Sequence, residues 1–375
     1  MDVTFHSHPG AIGREPWDAL CARMRHPTIY HTYDWTDCWL RHLGEGRNPM
    51  LVTVRKGNEV VGVAPLMTVR QRGPLGVSRE VLTFLSAMSP ASAQYLGPIC
   101  AQEHEKDVLP VLARAMVRRA GPRVFRFEHF LASDVVNELI EQLEGLTGRR
   151  FIRWCGPHNH KVELGDDPEV FLGRLPKKFR KNLKADRNRL AKAPGGHIEH
   201  VGAADRLEEV MEAFRVHSIA RFQEPGKGSS TLSDDRFYGF FRDIVRFSFE
   251  QGRAICLAMN IEGRIVGSLF ALSFGPWLGH YNGAFDRDYR RYSPGNLLVD
   301  RLIEEAIGRG FGELDLLVGF EDYKRRWSHG LAEPLQYASM ARYRPTDLPF
   351  LLWDRWKARR EPVGRDRGSP PDGEA

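Results

Sequence analysis

The sequence predicts an α/β (α+β) protein made of two units of similar topology, each with a mixed, mostly antiparallel sheet flanked by helices. Alternating apolar residues predict a β-hairpin at 50–71 and a second one at 254–275. The hairpin cores GNEVVG (57–62) and EGRIVG (262–267) superimpose without a gap, and each closes with a glycine. In both halves a helical pattern and then a strand pattern follow the hairpin at nearly the same spacing. This recurring order predicts a tandem arrangement.

The first half also carries a helix ahead of its hairpin. The segment TYDWTDCWLRHLG (32–44) places two tryptophans and a leucine at helical spacing, which is typical of a core-facing stripe. After the hairpin, EHEKDVLPVLARAMVRRAG (103–121) predicts a helix and PRVFRFEHF (122–130) predicts a strand.

The second half repeats the order. The segment DRLEEVMEAFRVHSIARF (205–222) predicts the preceding helix, again with an apolar stripe. The segment GNLLVDRLIEEAIGRG (295–310) predicts the helix after the hairpin, and FGELDLLVGF (311–320) predicts the closing strand.

The division of the chain follows from this repeat and from a change of composition. The segment CGPHNHKVELGDDPEV (155–170) is polar and rich in turn-forming residues, which predicts the boundary near 155–175. We therefore expect an N-terminal domain at 1–160, a C-terminal catalytic domain at 161–348, and a helix with a disordered tail at 349–375.

Bulk composition restricts the functional classes. The chain has 375 residues and 42% hydrophobic residues, which is typical of globular proteins, and its net charge of +6 is compatible with an anionic ligand or partner without requiring nucleic acid. No secretory signal and no apolar stretch of about 18 residues is evident, so no membrane span is expected. The five cysteines are scattered singly, which argues against a disulfide framework or a metal site and favours a cytoplasmic location.

Several segments carry a family resemblance. They are FLGRLPKKFRKNLKADRNRL (171–190), HYNGAFDRDYRRYSPGNLL (280–298) and LDLLVGFEDYKRRWS (314–328), with HTYDWTDCW and VVGVAPLM in the first half. Together they resemble the tandem GNAT acyltransferase fold of the FemAB-like transferases, and more closely the CelD-like acetyltransferase family associated with bacterial polysaccharide synthesis. The likeness covers most of residues 28–345.

The resemblance implies an N-acetyltransferase that uses acetyl-CoA as co-substrate, needs no metal, and acylates an amine or hydroxyl of a sugar-type or other polar acceptor. GNAT enzymes cradle the coenzyme A pyrophosphate on an Arg/Gln-x-x-Gly-x-Gly/Ala turn that opens a helix. Here Ser293 replaces the first glycine and Pro294 removes one N–H donor, so an ordinary helix start is the alternative interpretation. The donor-binding residues implied by the resemblance are Arg290, Arg291, Ser293, Gly295, Asn296 and Leu297. The corresponding region of the first half (89–100) lacks the leading basic residue, so we expect no donor site there.

The resemblance also implies catalytic residues. Tyr323 lies where GNAT enzymes often place the tyrosine that protonates the departing thiolate. The candidates for the base that deprotonates the acceptor are, in order, Glu321, His217 and Asp286. Each has a structural alternative: an i,i+3 ion pair of Glu321 with Lys324, a structural histidine, and a turn aspartate.

The predicted helix at 176–192 holds eight lysines and arginines against one acid. It is either a solvated basic face or an electrostatic landing surface for an acidic acceptor. In the second case Arg180 and Lys184, together with Lys324, bind substrate. The Gly- and Ser-rich segment 223–235 predicts either a lid over the acceptor cleft or a surface loop.

Two rival functions remain open at this point. One keeps the fold and changes the donor: a FemAB-like transferase that uses aminoacyl-tRNA, with the basic helix contacting RNA. The other is a non-catalytic protein that binds an anionic polymer on a degenerate GNAT scaffold. The oligomeric state is not predicted by the sequence.

Overall fold

The computed structural model of the chain describes residues 1–72, 78–87, 93–120, 124–222, 230–319, 322–340, 347–361 and 363. The chain forms two compact units, one comprising Met1–His158 with Glu333–Ala375 and the other Asn159–Ala332. The predicted fold class is confirmed: each unit has a mixed, mostly antiparallel sheet with flanking helices. The tail beyond 363 lies outside the described residues, as do Glu321 and residues 223–229 of the predicted lid.

The first unit carries its sheet in the order β1-β2-β3-β4-β6-β13-β7, with β5 paired to β3. The β4–β6 pair is parallel, and the pairs β1–β2, β2–β3, β3–β4 and β6–β13 are antiparallel. Its strands are β1 (Asp2–His6), β2 (Asn48–Lys56), β3 (Glu59–Arg72), β4 (Ser78–Phe84), β5 (Ile99–Cys100), β6 (Val124–Phe130), the first part of β7 (Ile152–Glu163) and β13 (Ala332–Met340). Its helices are α1 (Arg14–Cys21), α2 (Tyr33–Leu43), α3 (Glu105–Ala120), α4 (Val136–Thr147) and α11 (Leu348–Arg360).

The second unit carries the order β7-β12-β11-β10-β9-β8. The β11–β12 pair is parallel and the others are antiparallel. Its strands are the last part of β7, β8 (His197–His200), β9 (Ala254–Ile261), β10 (Arg264–Phe274), β11 (Trp277–Phe285) and β12 (Glu313–Val318). Its helices are α5 (Pro168–Arg174), α6 (Lys177–Ala191), α7 (Ala204–Phe222), α8 (Asp235–Glu250), α9 (Pro294–Gly308) and α10 (Asp322–Trp327).

The paired glycines of the two hairpins have the same structural role. A Cβ on Gly62 would lie 2.4 Å from a methyl carbon of Val108 on α3. A Cβ on Gly267 would lie 3.2 Å from Leu298 Cδ1 and 3.3 Å from Pro294 Cβ on α9. In each unit the missing side chain lets the helix pack directly against the second strand of the hairpin. The sequence repeat therefore reflects a repeated packing contact.

The chain passes from the first unit to the second at His158 and Asn159, inside the range 155–175, but this segment is a strand and not a turn-rich stretch. Residues Ile152–Glu163 form the strand β7, and a turn at 164–167 leads into α5. The polar residues of β7 that suggested a loop are paired inside the fold. Asn159 Nδ2 donates to Asp315 Oδ1 at 2.9 Å, and His160 Nδ1 lies 3.3 Å from Ser328 Oγ. Hydrogen-bonded polar side chains of this kind weaken the periodicity by which a strand is recognised.

Candidate active site

The site begins where two parallel strands of the second unit separate. In the ladder between β11 and β12, Gly279 pairs with Asp315 near the start of β11. Beyond that point β12 is distorted, because Leu317 has a φ of 61°, in the left-handed region. The buried Asp315 carboxylate accepts hydrogen bonds from Leu317 N at 2.7 Å and from Trp277 Nε1 at 3.1 Å. This network stabilises the distorted end of β12, next to the gap between the strands.

A cavity of about 520 Å³ is lined by the second half of β11, the start of α9 and residues of α10. Its volume lies in the range typical of small-molecule sites. Its lining includes Ser268, His280, Gly283, Arg287, Arg290, Ser293, Gly295, Asn296, Tyr323 and Arg326.

One wall of the cavity is the first turn of α9. Ser293 caps this helix with φ 54° and ψ 48°, and Pro294 occupies the first helical position. The N–H of Leu297 already donates to Ser293 O at 3.1 Å, so this amide belongs to the helix. The N–H groups of Gly295 and Asn296 are the first-turn donors that no carbonyl within the helix accepts. Both residues line the cavity, where their amides suit an anion.

The two adjacent arginines of the motif point to different surroundings. Arg290 lines the cavity, as do Arg287 and Arg326. Arg291 does not line it: its guanidinium lies 4.8 Å from the centre of the Tyr292 ring and donates to the Tyr292 hydroxyl at 3.0 Å. The cavity therefore has a cationic lining, to which Arg290 contributes and Arg291 does not.

Two strand residues place buried polar atoms without partners on the cavity. Within the described part of the chain, the two ring nitrogens of His280 have no hydrogen-bond partner. The hydroxyl of Ser268 has none there either. Buried polar atoms are normally paired, so three orphaned atoms on one cavity indicate a ligand-binding surface. A β-bulge at Tyr281 interrupts the alternation of β11 immediately after His280, and bulges of this kind re-aim neighbouring side chains.

The environment keeps His280 neutral. Burial, with a further contribution from the nearby Lys324 ammonium, lowers the pKa of His280 from 6.5 to about 3. At neutral pH its imidazole therefore has one N–H donor and one lone pair. A side chain on Gly283 would crowd this ring, because its Cβ would lie 3.3 Å from His280 Nε2.

Tyr323 lies on α10 at the edge of the cavity. Its ring centre is 6.5 Å from that of His280, in an edge-to-face arrangement. Lys324, the next residue, turns away: it is buried, and its Nζ donates to the carbonyl of Val318 at 2.7 Å. Lys324 thus ties α10 to the end of β12, and it is not among the cavity-lining residues. Glu321 lies outside the described residues.

The other two candidate bases lie elsewhere in the second unit. His217, on α7, is half-buried, and burial lowers its pKa although Asp286 acts in the opposite direction. The Asp286 carboxylate accepts from the N–H of Asp288 at 3.0 Å and caps the turn Arg287–Tyr292. Neither His217 nor Asp286 lines the cavity.

The basic helix α6 is exposed on one side and buried on the other. Arg187 bonds to both carboxylate oxygens of Asp300 on α9, at 2.6 and 2.7 Å. Phe179 packs against Trp327 of α10, with ring centres 4.9 Å apart, and the guanidinium of Arg326 lies over its other side. The remaining cations of 176–192 are exposed: Lys177, Lys178, Arg180, Lys181, Lys184, Arg189 and, just after the helix end, Lys192. Arg180 and Lys184 therefore face solvent on a helix that packs beside the cavity-forming elements α9 and α10.

Sequence reasoning did not select His280 or Ser268. Ser268 lies on the predicted hairpin 254–275, whereas His280 lies on β11, for which no strand was predicted; the available signal was a polar residue at an inward-facing position of a strand. Reading that signal requires knowing which face of the strand meets a cavity, and the bulge at Tyr281 removes the simple alternation that would have shown it.

Across the described residues, no helix is long and apolar enough to cross a bilayer. The same residues contain no cluster of three or more His, Cys, Asp or Glu side chains arranged to hold a metal ion. All five cysteines are free thiols.

Comparison with known proteins supports an acyltransferase fold. Residues 177–325 match the family model described as the acetyltransferase (GNAT) domain, which spans most of the second unit, from the start of α6 to Arg325 within α10. No curated protein sequence matches the chain.

Solved structures resemble the whole chain. FemX aligns at a TM-score of 0.60 and 11% identity, covering 94% of this chain and all of FemX. The C-terminal domain of a putative lysylphosphatidylglycerol synthetase from Agrobacterium fabrum aligns at a TM-score of 0.57 and 12% identity, covering 93% of this chain and 96% of that domain. A conserved protein of unknown function from Bacteroides thetaiotaomicron aligns at a TM-score of 0.55 and 11% identity, covering 91% of this chain and all of that protein. At these identities the likeness shows the fold alone.

Proposed function

We propose that the chain is an acyltransferase whose second unit binds acetyl-CoA and transfers its acetyl group to an amine or hydroxyl of a polar, sugar-type acceptor. The observation that carries this proposal is the meeting, on one cavity, of an anion-binding helix start, a tyrosine and a neutral histidine. The GNAT family model over 177–325 supports the same reaction class.

The residues at the start of α9 fit the pyrophosphate of coenzyme A. The N–H groups of Gly295 and Asn296 and the positive end of the helix dipole favour a negative charge there. Arg287 and Arg290 line the same cavity and add positive charge. Acetyl-CoA supplies an activated acyl carbon, and the protein residues bind it, orient the acceptor and move the protons.

In the transfer the acyl carbon exchanges its bond to sulfur for a bond to the acceptor nitrogen or oxygen, so one proton leaves the acceptor and the departing thiolate gains one. His280 accepts the hydrogen bond of the acceptor N–H or O–H and takes that proton as the new bond makes the nucleophile acidic. The lowered pKa of His280 leaves its lone pair unprotonated at neutral pH but also makes it a weak base, so the proton moves only after the acceptor atom has bonded to the acyl carbon. Tyr323 donates the proton to the thiolate.

The acceptor class rests on the polarity of the cavity. Ser268 and His280 offer a hydroxyl and an imidazole without partners among the described residues, which suits a ligand rich in hydroxyl or amine groups. The motifs that resemble the CelD-like family favour a role in polysaccharide synthesis. A cytoplasmic location follows from the proposed donor.

A second candidate function is aminoacyl transfer from aminoacyl-tRNA. The specific observation that favours it is the exposed row of lysines and arginines on α6, a surface that suits a phosphate backbone. The likeness to FemX supports the fold for this reaction and leaves the donor open.

One experiment separates these functions. Thermal unfolding is followed with acetyl-CoA, free CoA and aminoacyl-tRNA, and released thiol is then measured with a panel of amino sugars. The proposal predicts that acetyl-CoA and CoA both raise Tm at saturating concentration and that thiol release depends on an acceptor. A salt-sensitive response to aminoacyl-tRNA with no response to either CoA form would instead assign the second function.

A further inference from the structure

The C-terminal helix α11 buries charged side chains against the first unit and exposes large apolar side chains on its outer face. Its inward face contains Asp354, which is 1% exposed and accepts hydrogen bonds from Arg79 and Arg126 at 3.3 Å each. Phe350 packs beneath the Arg79 guanidinium, with 4.2 Å from the central guanidinium carbon to the ring centre. Burying two arginines with a carboxylate is costly unless the geometry is well satisfied. The ion pairs of Asp354 with Arg79 and Arg126 therefore fix which face of α11 points inward.

The outer face of the same helix is apolar and aromatic. Leu348, Leu352, Trp353 and Trp356 are 55%, 59%, 48% and 44% exposed. The described part of the chain exposes eleven large hydrophobic side chains, and four of them lie on these thirteen residues. Scattered exposed apolar residues need no explanation, but a contiguous group indicates an interaction surface.

Positive charge is interleaved with these apolar side chains. At 100° per residue, Arg355 lies beside Leu348, Arg359 falls between Leu348 and Leu352, and Arg360 lies between the two tryptophans. The Trp353 and Trp356 rings stack on each other with centres 4.9 Å apart. Both acids at this level of the helix, Asp347 and Asp354, are buried, so neither contributes negative charge to the outer face. Glu361, which is exposed, follows the helix end.

We infer that the outer face of α11 docks on the surface of an anionic lipid bilayer. Leucine side chains enter the acyl boundary, tryptophans prefer the interface between headgroups and acyl chains, and arginines pair with lipid phosphates. The outer face of α11 thus offers side chains of each kind that bind the surface of an anionic bilayer, while its inner face stays packed on the first unit. A nucleic acid or acidic polymer accounts for the arginines and the aromatic rings, but it leaves Leu348 and Leu352 without a partner. The inference concerns the first unit and does not depend on the proposed acyl transfer.

Co-sedimentation of the full-length protein with vesicles tests this docking. The wild type is expected to bind vesicles of phosphatidylcholine mixed with phosphatidylglycerol, more weakly at high salt, and to bind phosphatidylcholine vesicles poorly. The Leu352→Glu variant should bind the mixed vesicles on the order of tenfold more weakly, because it places a charge in the apolar stripe. Replacing Arg355 and Arg359 by glutamine should weaken binding about fivefold for each arginine removed.

A matched control distinguishes this face from general hydrophobicity. Leu146 on α4 of the same unit is 46% exposed, and Leu146→Glu should bind the mixed vesicles like the wild type. Tryptophan emission should shift to shorter wavelength on vesicle addition in the wild type but not in a Trp353→Phe, Trp356→Phe double variant. Because all these positions are exposed, the variants are expected to fold, which circular dichroism checks.

Three results would overturn the docking. The first is wild-type protein that stays in the supernatant with the mixed vesicles. The second is Leu352→Glu protein that sediments as well as the wild type. The third is a wild-type dimer, detected by light scattering, that Leu352→Glu converts to monomer, because the face would then bind a second copy of the chain.

Discussion

The imidazole of His280 and the phenol of Tyr323 lie edge to face on one cavity wall, with ring centres 6.5 Å apart. One residue comes from a bulged strand and the other from the short helix after the next strand. The separation of β11 from β12 leaves room between these two side chains and the start of α9. In the proposed acyl transfer these two side chains are the proton acceptor and the proton donor, and the start of α9 is the proposed pyrophosphate site.

The Tyr323→Phe variant tests the proton donor. We expect kcat to fall by about 10²-fold, because the thiolate then leaves without a positioned acid. The Kd for CoA should stay nearly constant, since the phenol hydroxyl is assigned to sulfur and not to phosphate. Kinetics with acetyl-CoA and calorimetry with CoA measure the two quantities. A large loss of CoA affinity with unchanged kcat would remove Tyr323 from the acid role.

The two neighbouring arginines form a matched pair. Arg290→Ala should weaken CoA binding by about tenfold, because it removes a charged partner from the cavity. Arg291→Ala should leave affinity unchanged, because that guanidinium stacks on Tyr292 outside the cavity. Equal losses in both variants would mean that general surface charge, and not the cavity lining, attracts the ligand.

The turn at α9 can be tested by adding bulk. A Cβ at Gly295 would meet the Phe285 ring at 3.6 Å, an ordinary contact, whereas the branched side chain of Gly295→Val reaches further into the cavity. We expect CoA binding to weaken by about tenfold while the fold is retained. Gly308→Val at the other end of the helix is the control, because no atom lies within 4 Å of the position of its Cβ. Unchanged affinity in folded Gly295→Val protein would exclude this turn as the phosphate site.

The buried state of His280 predicts an acid-sensitive stability. Its pKa is about 3 in the folded protein and about 6.5 when unfolded, so the unfolded chain binds more protons between these values. The free energy of unfolding is therefore unaffected by this group above pH 6.5, and it falls as the pH is lowered below 6.5, by up to about 1.4 kcal/mol per pH unit. Lowering the pH from 7.5 to 5 should therefore reduce the free energy of unfolding more in the wild type than in His280→Asn, as measured by chemical denaturation at each pH. Tyr323→Phe, which keeps the histidine, should follow the wild type. Parallel wild-type and His280→Asn curves would show that this histidine is not held neutral.

The tandem fold could be predicted from the sequence because the same close packing of a helix on a hairpin strand occurs in both units. Gly62 and Gly267 each allow a helix to approach a strand, so the hairpin motifs repeat along with the helix and strand that follow. The start of α9 was recognisable for a similar local reason, since Pro294 and Gly295 mark a helix beginning.

The interior of the site was less predictable because it depends on contacts between elements. His280 and Ser268 become notable only when their polar atoms prove to be buried without partners among the described residues. Lys324 was expected to bind substrate, but its ammonium donates a hydrogen bond to the Val318 carbonyl, and the side chain is buried inside the fold. The strand β7 was taken for a turn-rich boundary because its polar residues find partners only in the folded unit.

The central claim is that the cavity at the start of α9 binds acetyl-CoA, and calorimetric titration tests it most directly. The account predicts saturable one-to-one binding of acetyl-CoA to the wild type, about tenfold weaker binding to Arg290→Ala, and wild-type affinity in Arg291→Ala. No heat of binding at saturating acetyl-CoA in folded wild-type protein would contradict it.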